Sequence, residues 1–169
     1  MYEIHVTITI NAQPQRVFDV ITDHGRFFRG PSMTCRLLAE GRNQKNGLGA
    51  VREVTTEGAV FTEEITAFDP PRHFEYVVRH LIDRRGKPAR LRHERGWLDF
   101  LASGETTRVD WYSRFEVTIP IVGWFAERMV GPRAATGFRR LLDQAKTELE
   151  GNLSVDRGPR GHSGLLRPS

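Results

Sequence analysis

Apolar and polar residues alternate over residues 2–10: Tyr2, Ile4, Val6, Ile8 and Ile10 share one face, and Glu3, His5, Thr7 and Thr9 share the other. A period of two marks a strand with one buried face. Pro14 then suits the first turn of a helix, where its missing N–H costs nothing, and Val17, Phe18 and Ile21 give that short helix an apolar side. Asp23, with His24 beside it, is placed to cap a second short helix carrying Phe27 and Phe28, which Gly30-Pro31 ends. From there the period returns to two, in segments 34–40, 49–56, 59–68, 73–82, 89–101 and 106–118. The breaks carry turn chemistry: Asn46-Gly47, Glu57-Gly58, Asp69-Pro70-Pro71, Arg85-Gly86-Lys87-Pro88 and Ser103-Gly104. Connections this short favour antiparallel neighbours, because parallel ones need long crossovers.

After Pro120 the period lengthens. Val130, Ala134, Phe138, Leu141, Leu142, Ala145 and Leu149 form a stripe at helical spacing, opposite Arg139, Arg140, Asp143, Lys146 and Glu150. Pro132 predicts a kink or a split in this helix of 121–150, and Gly151 predicts its end. Residues 151–169, with four Gly and two Pro, read as a flexible tail on a domain of residues 1–150. One strand, two short helices, six strands and one long helix form an α+β order. A curved seven-stranded antiparallel sheet must cover one face, and the terminal helix is the only amphipathic element long enough to do so. A sheet curved around one helix leaves space on its concave side, so a cavity between sheet and helix is expected.

The chain of 169 residues is 38% hydrophobic and 27% charged, which excludes a wholly disordered protein. It has no apolar run long enough to span a membrane. The first residues lack the pattern of a secretory signal, which suggests a cytoplasmic protein. Its single Cys35 excludes an internal disulfide. The net charge is +4, but its placement matters. Residues 79–95 hold seven basic groups (Arg79, Arg84, Arg85, Lys87, Arg90, Arg92, Arg95) against Asp83 and Glu94, a local +5. Arg157, Arg160 and Arg167 against Asp156 give the tail +2, leaving −3 over everything else. No aromatic residues are interleaved with the arginines of 79–95, so base stacking has no platform and nucleic-acid binding is not expected. A solvated hairpin is the default reading, with weak contact to an anionic membrane surface as the second.

Several stretches resemble the helix-grip fold of the START/birch-pollen-allergen superfamily, often called SRPBCC, and more closely its polyketide cyclase/dehydrase and lipid-transport branch. They are Asn11-Ala12 with Pro14 and Val17-Phe18 through Asp23; Gly47-Leu48-Gly49 with Arg52; and Glu64-Ile65 leading into Asp69-Pro70-Pro71-Arg72 and Tyr76. Thr107-Arg108-Val109, Trp111 through Phe115, and the terminal helix ending at Glu148–Glu150 complete the set. The resemblance implies a domain that encloses a hydrophobic small molecule such as a lipid, sterol, quinone or polyketide. It carries no shared catalytic motif. Some members of the superfamily cyclise or dehydrate their ligand, and many only bind or carry it.

Strand parity selects inward groups. Val109, Trp111, Phe115 and Val117 bring Ser113 to the apolar face; Phe74, Tyr76 and Val78 bring His80; Leu98 and Phe100 bring Arg92 and Glu94, unless a bulge reverses that strand. Arg52 and Glu64 lie in adjacent segments and are expected to pair, since a charge buried alone is very costly. Tyr76, Phe100, Trp111, Phe115 and Phe138 are the expected lining, with Arg52, Glu64, Arg92, Glu94 and Ser113 as polar contacts. His80 and Tyr76 are the candidates for acid–base chemistry if the protein is an enzyme. His73, His80 and His93 lack the spacing of metal ligands, Cys35 reads as a packed thiol, and Gly47-Leu48-Gly49 reads as a hairpin turn. No metal or cofactor is expected. The leading reading is a ligand-binding domain, the alternatives being a cyclase or dehydratase and a non-catalytic interaction scaffold.

Overall fold

The computed structural model describes residues 1–119 and 123–156, the side chains of 123–127 and 152–156 excepted. Strand β1 (Tyr2–Ile10) leads into helices α1 (Pro14–Thr22) and α2 (His24–Phe27). Strands β2 (Met33–Ala39), β3 (Val51–Thr56), β4 (Ala59–Asp69), β5 (His73–Asp83), β6 (Leu91–Ser103) and β7 (Thr106–Val117) follow, and helix α3 (Gly123–Asp156) is the last element of the described residues. One antiparallel sheet takes the order β1-β7-β6-β5-β4-β3-β2, so the first strand sits beside the last and β1 and β2 form the edges. This is the helix-grip α+β fold.

The alternation in β1 is realised without a bulge: Ile4, Val6, Ile8 and Ile10 are buried, and every residue from Tyr2 to Ile10 is in register with β7. Helix α3 lies along β1 and β7, burying Leu141, Leu142, Ala145 and Leu149. It also covers the sheet edge. Arg139 Nη1 donates to the Thr7 carbonyl at 2.8 Å and Lys146 Nζ to the Thr9 carbonyl at 2.7 Å, so the free edge of β1 is partly satisfied by cations from the helix. A side chain at position 131 would collide with the Tyr2 ring, so Gly131 allows β1 and α3 to approach there. Helix α1 starts with Pro14 and buries Val17, Phe18 and Ile21 as expected, and Phe18 packs edge-on against Phe68 and Phe100.

Four features differ from the sequence pattern. The long helix is not split: it runs unbroken past Pro132, and it continues past Gly151 to Asp156. Gly151 is not among the residues with a left-handed backbone, so nothing forces a stop there. Of the expected tail, residues 157–169 with Arg157, Arg160 and Arg167 lie outside the described residues, as do positions 120–122, where the helix was expected to begin. Val130 belongs to the apolar stripe by spacing but is 39% exposed. Finally, residues 40–50 form a long loop, tied by its own backbone hydrogen bonds and by Gly49 N–H to the Ile65 carbonyl, with Gly49 at φ 83°.

Candidate functional site

Arg52 is 1% exposed, among the most buried large side chains of the protein. It projects from β3 onto the concave face, directly opposite Glu63 of β4. Its Nε and Nη2 both lie 2.7 Å from the same oxygen, Glu63 Oε2. Its Nη1 is buried with no hydrogen-bond partner. The guanidinium is held within aromatic rings, 4.8 Å from the centroid of Phe28, 5.3 Å from Tyr76 and 5.5 Å from Phe74.

His24 opens α2 and points into the same space. It is 2% exposed, its ring centroid is 5.5 Å from that of Phe74, and neither ring nitrogen has a hydrogen-bond partner. Burial, and then the charge of Arg52, hold its pKa well below the ordinary histidine value, so the imidazole is neutral. Around this polar centre stand Phe27, which packs on Trp111, and Phe138 of α3, whose ring stacks on Trp111 at 4.0 Å.

A second polar line runs from Trp111. Its Nε1–H donates to Tyr76 Oη at 3.1 Å, and burial, followed by the Glu63 carboxylate, pushes the Tyr76 phenol upward. Strands β5 and β6 pair only from His73 to Tyr76 and then part. The Val78 N–H is taken instead by His93 Nδ1 at 3.1 Å, which leaves the proton on Nε2, 3.1 Å from Ser113 Oγ. The His93 ring stacks on Tyr76, and burial lowers its pKa to about 4. Gly96 makes the Tyr76 position possible, because a Cβ there would run into the phenol ring.

Tyr76, Phe100, Trp111, Ser113 and Phe115 are buried and Phe138 is partly so, although Phe100 packs under α1 against Phe18 and Phe115 against Tyr2, away from Arg52. Four expectations are corrected. The partner of Arg52 is Glu63; Glu64 points to the outer face and pairs with Arg79 at 2.8 Å. His80 is exposed, because a bulge at Arg79 lets Val78 face Glu63 and His80 face Thr62, reversing the parity of β5. Arg92 and Glu94 are exposed, because a bulge at Glu94 reverses β6, turning His93 inward and leaving Arg92 paired with Glu116 at 2.8 Å. Asp23 occupies the cap position of α2 without a side-chain cap bond, and His24 is interior. The spacing of His24, Phe27 and Phe28 was the signal for this: positions i, i+3 and i+4 share one helix face.

On the outer face, His5 stacks on Tyr112, Tyr112 on Trp97, and Arg95 lies 4.3 Å from the Trp97 centroid. Of the basic segment, Arg79, Arg92 and Arg95 form ion pairs with Glu64, Glu116 and Glu75. Among the described residues no cluster of three or more His, Cys, Asp or Glu could hold a metal ion, and no helix is long and apolar enough to cross a membrane. Two surface clefts, of about 600 and 520 Å³, lie beside α1 and beside the parting of β5 and β6.

A curved antiparallel sheet gripping a long helix is a START-like fold. The chain belongs to the family described as polyketide cyclase/dehydrase and lipid transport, which matches residues 1–150. No curated protein matches the chain. Among solved structures it is similar to the protein TTHA0849 from Thermus thermophilus (TM-score 0.69, 19% identity, 89% of this chain and 99% of that one). It is also similar to a START superfamily protein from Mycobacterium smegmatis (0.66, 12%, 89% and 99%) and to a protein from Arthrobacter aurescens (0.64, 17%, 88% and 86%). These likenesses establish the fold.

Proposed function

We propose that the protein binds a hydrophobic small molecule, of the size class of a lipid, sterol, quinone or polyketide, between the concave face of the sheet and α3. Residues 1–150 are the binding unit, acting in the cytoplasm. The observation that supports this reading is the incomplete burial of the inward apolar row: Met33, Cys35, Phe61, Val78 and Leu91 point to the core yet remain partly exposed. A filled core would bury them. Arg52 and His24 mark the polar end of the same space. The enzymatic alternative draws less support. His80 lies outside, and His24 and His93, which do face the interior, are both held as weak bases.

Protein purified without denaturation and then analysed by denaturing mass spectrometry is expected to release an apolar small molecule. Protein carrying Trp111→Ala is expected to release much less of it. No released molecule, together with no uptake of a fluorescent apolar probe, would count against binding and for the scaffold reading.

A further inference from the structure

Strands β5 and β6 are neighbours in the middle of the sheet, yet they are joined only at two seams. At one, His73 to Tyr76 pair with Asp99 to Gly96; at the other, Ala89 N–H donates to the Leu81 carbonyl and Asp83 N–H to the Lys87 carbonyl, both at 2.8 Å. Between the seams, residues 77–80 and 90–95 part from each other while each strand keeps its other neighbour. Val77 and Val78 pair with β4, and Arg92 and His93 pair with β7. The sheet therefore has a slit in its interior, framed by paired strand. Its cause is local: the extra residues Arg79 and Glu94 lie on the two facing strands, and a bulge bends the strand that carries it. His93 crosses the slit. Its Nδ1 accepts the Val78 N–H at 3.1 Å, in place of a backbone carbonyl of β6.

A cleft of about 520 Å³ opens here, and residues of both faces line it: exposed Arg79, Arg92 and Glu94, and inward Val78 and His93. Behind His93 stands the ring of Tyr76, bonded to Trp111, which stacks on Phe138 of α3. A row of aromatic side chains thus runs from the slit to the helix. We propose that the slit between β5 and β6 is the entrance through which an apolar molecule reaches the space between sheet and α3, with the His93 side chain as the bar across it. This rests on the ligand-binding reading and adds the route. Passage between fully paired strands would break several backbone hydrogen bonds at once, whereas here the Val78–His93 bond is the one that spans the gap, at about 1 kcal/mol. The throat also carries no charge, because burial holds the His93 imidazole neutral at pH 7. The other cleft, beside α1, is lined by five charged side chains, Arg16, Asp19, Asp23, Arg26 and Glu148, which an entering apolar molecule would have to desolvate.

Stopped-flow fluorescence with N-phenyl-1-naphthylamine, a neutral apolar probe, tests the route in the full chain. Val77→Cys with Glu94→Cys places one thiol on each side of the cleft, and brief treatment with a short bis-maleimide ties them together while sparing the inward Cys35. Bridging is expected to slow uptake and release together, by about tenfold or more, with the equilibrium affinity kept. Should that pair fail to fold or to bridge, His93→Ala decides: removal of the bar is expected to speed uptake and release together by about tenfold, the worth of one buried hydrogen bond. Rates unchanged by the bridge, or by His93→Ala where that variant decides, would overturn the proposal with ligand binding intact and place the entrance elsewhere. Loss of affinity with an unslowed release would also overturn it, making the slit part of the binding surface instead of a passage. No uptake of the probe by the unaltered protein at any concentration would overturn the ligand-binding reading itself.

Discussion

Glu63 receives two donors of Arg52 on a single carboxylate oxygen, across directly opposed positions of β3 and β4. The pair is a neutral unit in a nearly dry place, so its members are not equivalent to replace singly or together. Glu63→Gln leaves the guanidinium uncompensated and is expected to lower the unfolding free energy by about 3–5 kcal/mol. The double replacement Arg52→Met with Glu63→Leu removes both charges and is expected to stay near wild-type stability or exceed it. Urea denaturation of the two variants checks this. A double variant as unstable as the single one would show that the pair stabilises more than it costs.

Tyr76 occupies the space that a side chain at position 96 would need, and its hydroxyl receives the Trp111 indole N–H at 3.1 Å. Gly96→Ala must displace the ring and is expected to cost about 1–3 kcal/mol. Tyr76→Phe keeps the ring but orphans the indole donor, at about 1–3 kcal/mol. Both effects are read from denaturation midpoints followed by circular dichroism. Gly96→Ala with unchanged stability would mean that the ring has room to move.

The two buried histidines set the acid limb of stability. His93 has a pKa of about 4 in the folded protein against an ordinary value of 6.5. Between those values the unfolded chain binds a proton that the folded one does not, so stability falls as pH falls from 6.5 towards 4, and His93 adds no further loss below that. The loss from this residue is about 3 kcal/mol. His24 is shifted in the same direction and adds to the same limb. His93→Asn, which can still accept the Val78 N–H, is expected to flatten the decline between pH 6.5 and 4. An unchanged decline in that variant would place the acid sensitivity elsewhere.

The legibility of the sequence follows the bulges. In β1 alternation is unbroken and every inward residue was readable from Ile4 to Ile10. In β5 and β6 the extra residues at Arg79 and Glu94 invert the parity midway, so anchors at Phe74 and Leu98 misassign His80 and Arg92. In β4 a further irregularity beside Thr66 puts Ile65 and Phe68 both on core contacts, so neither parity alone separates Glu63 from Glu64. A bulge depends on the neighbouring strand as much as on the residues that form it, and one strand read alone does not contain it. His24 is a different case: its helical spacing to Phe27 and Phe28 was present, but the cap reading of Asp23 competed with it.

Cys35 faces inward between Met33 and Leu37, opposite Val54, and its thiol is pushed up to about 11, chiefly by burial. At pH 8 about one thiol in a thousand is ionised, against roughly a quarter of an ordinary cysteine. Native protein is therefore expected to react with a disulfide reagent at least a hundredfold more slowly than the same protein in denaturant. Comparable rates would show that the interior near β2 is open to reagent and solvent.

Trp111 and Trp97 lie on opposite faces of the sheet, and they separate an interior ligand from an exterior one. Trp111 is 2% exposed and stacked on Phe138 of α3, whereas Trp97 lies between Tyr112 and the guanidinium of Arg95 on the outer face. If the ligand sits between sheet and helix, Trp111→Ala removes contact area and the indole bound to Tyr76, and the affinity for a bound apolar probe is expected to fall at least tenfold. Trp97→Ala is expected to leave that affinity unchanged, since it disturbs only the exterior stack. Fluorescence titration of both variants with one probe, at equal folded fractions confirmed by circular dichroism, reads the difference. Equal losses would count against an interior site, because a residue outside the sheet has no contact through which to weaken it.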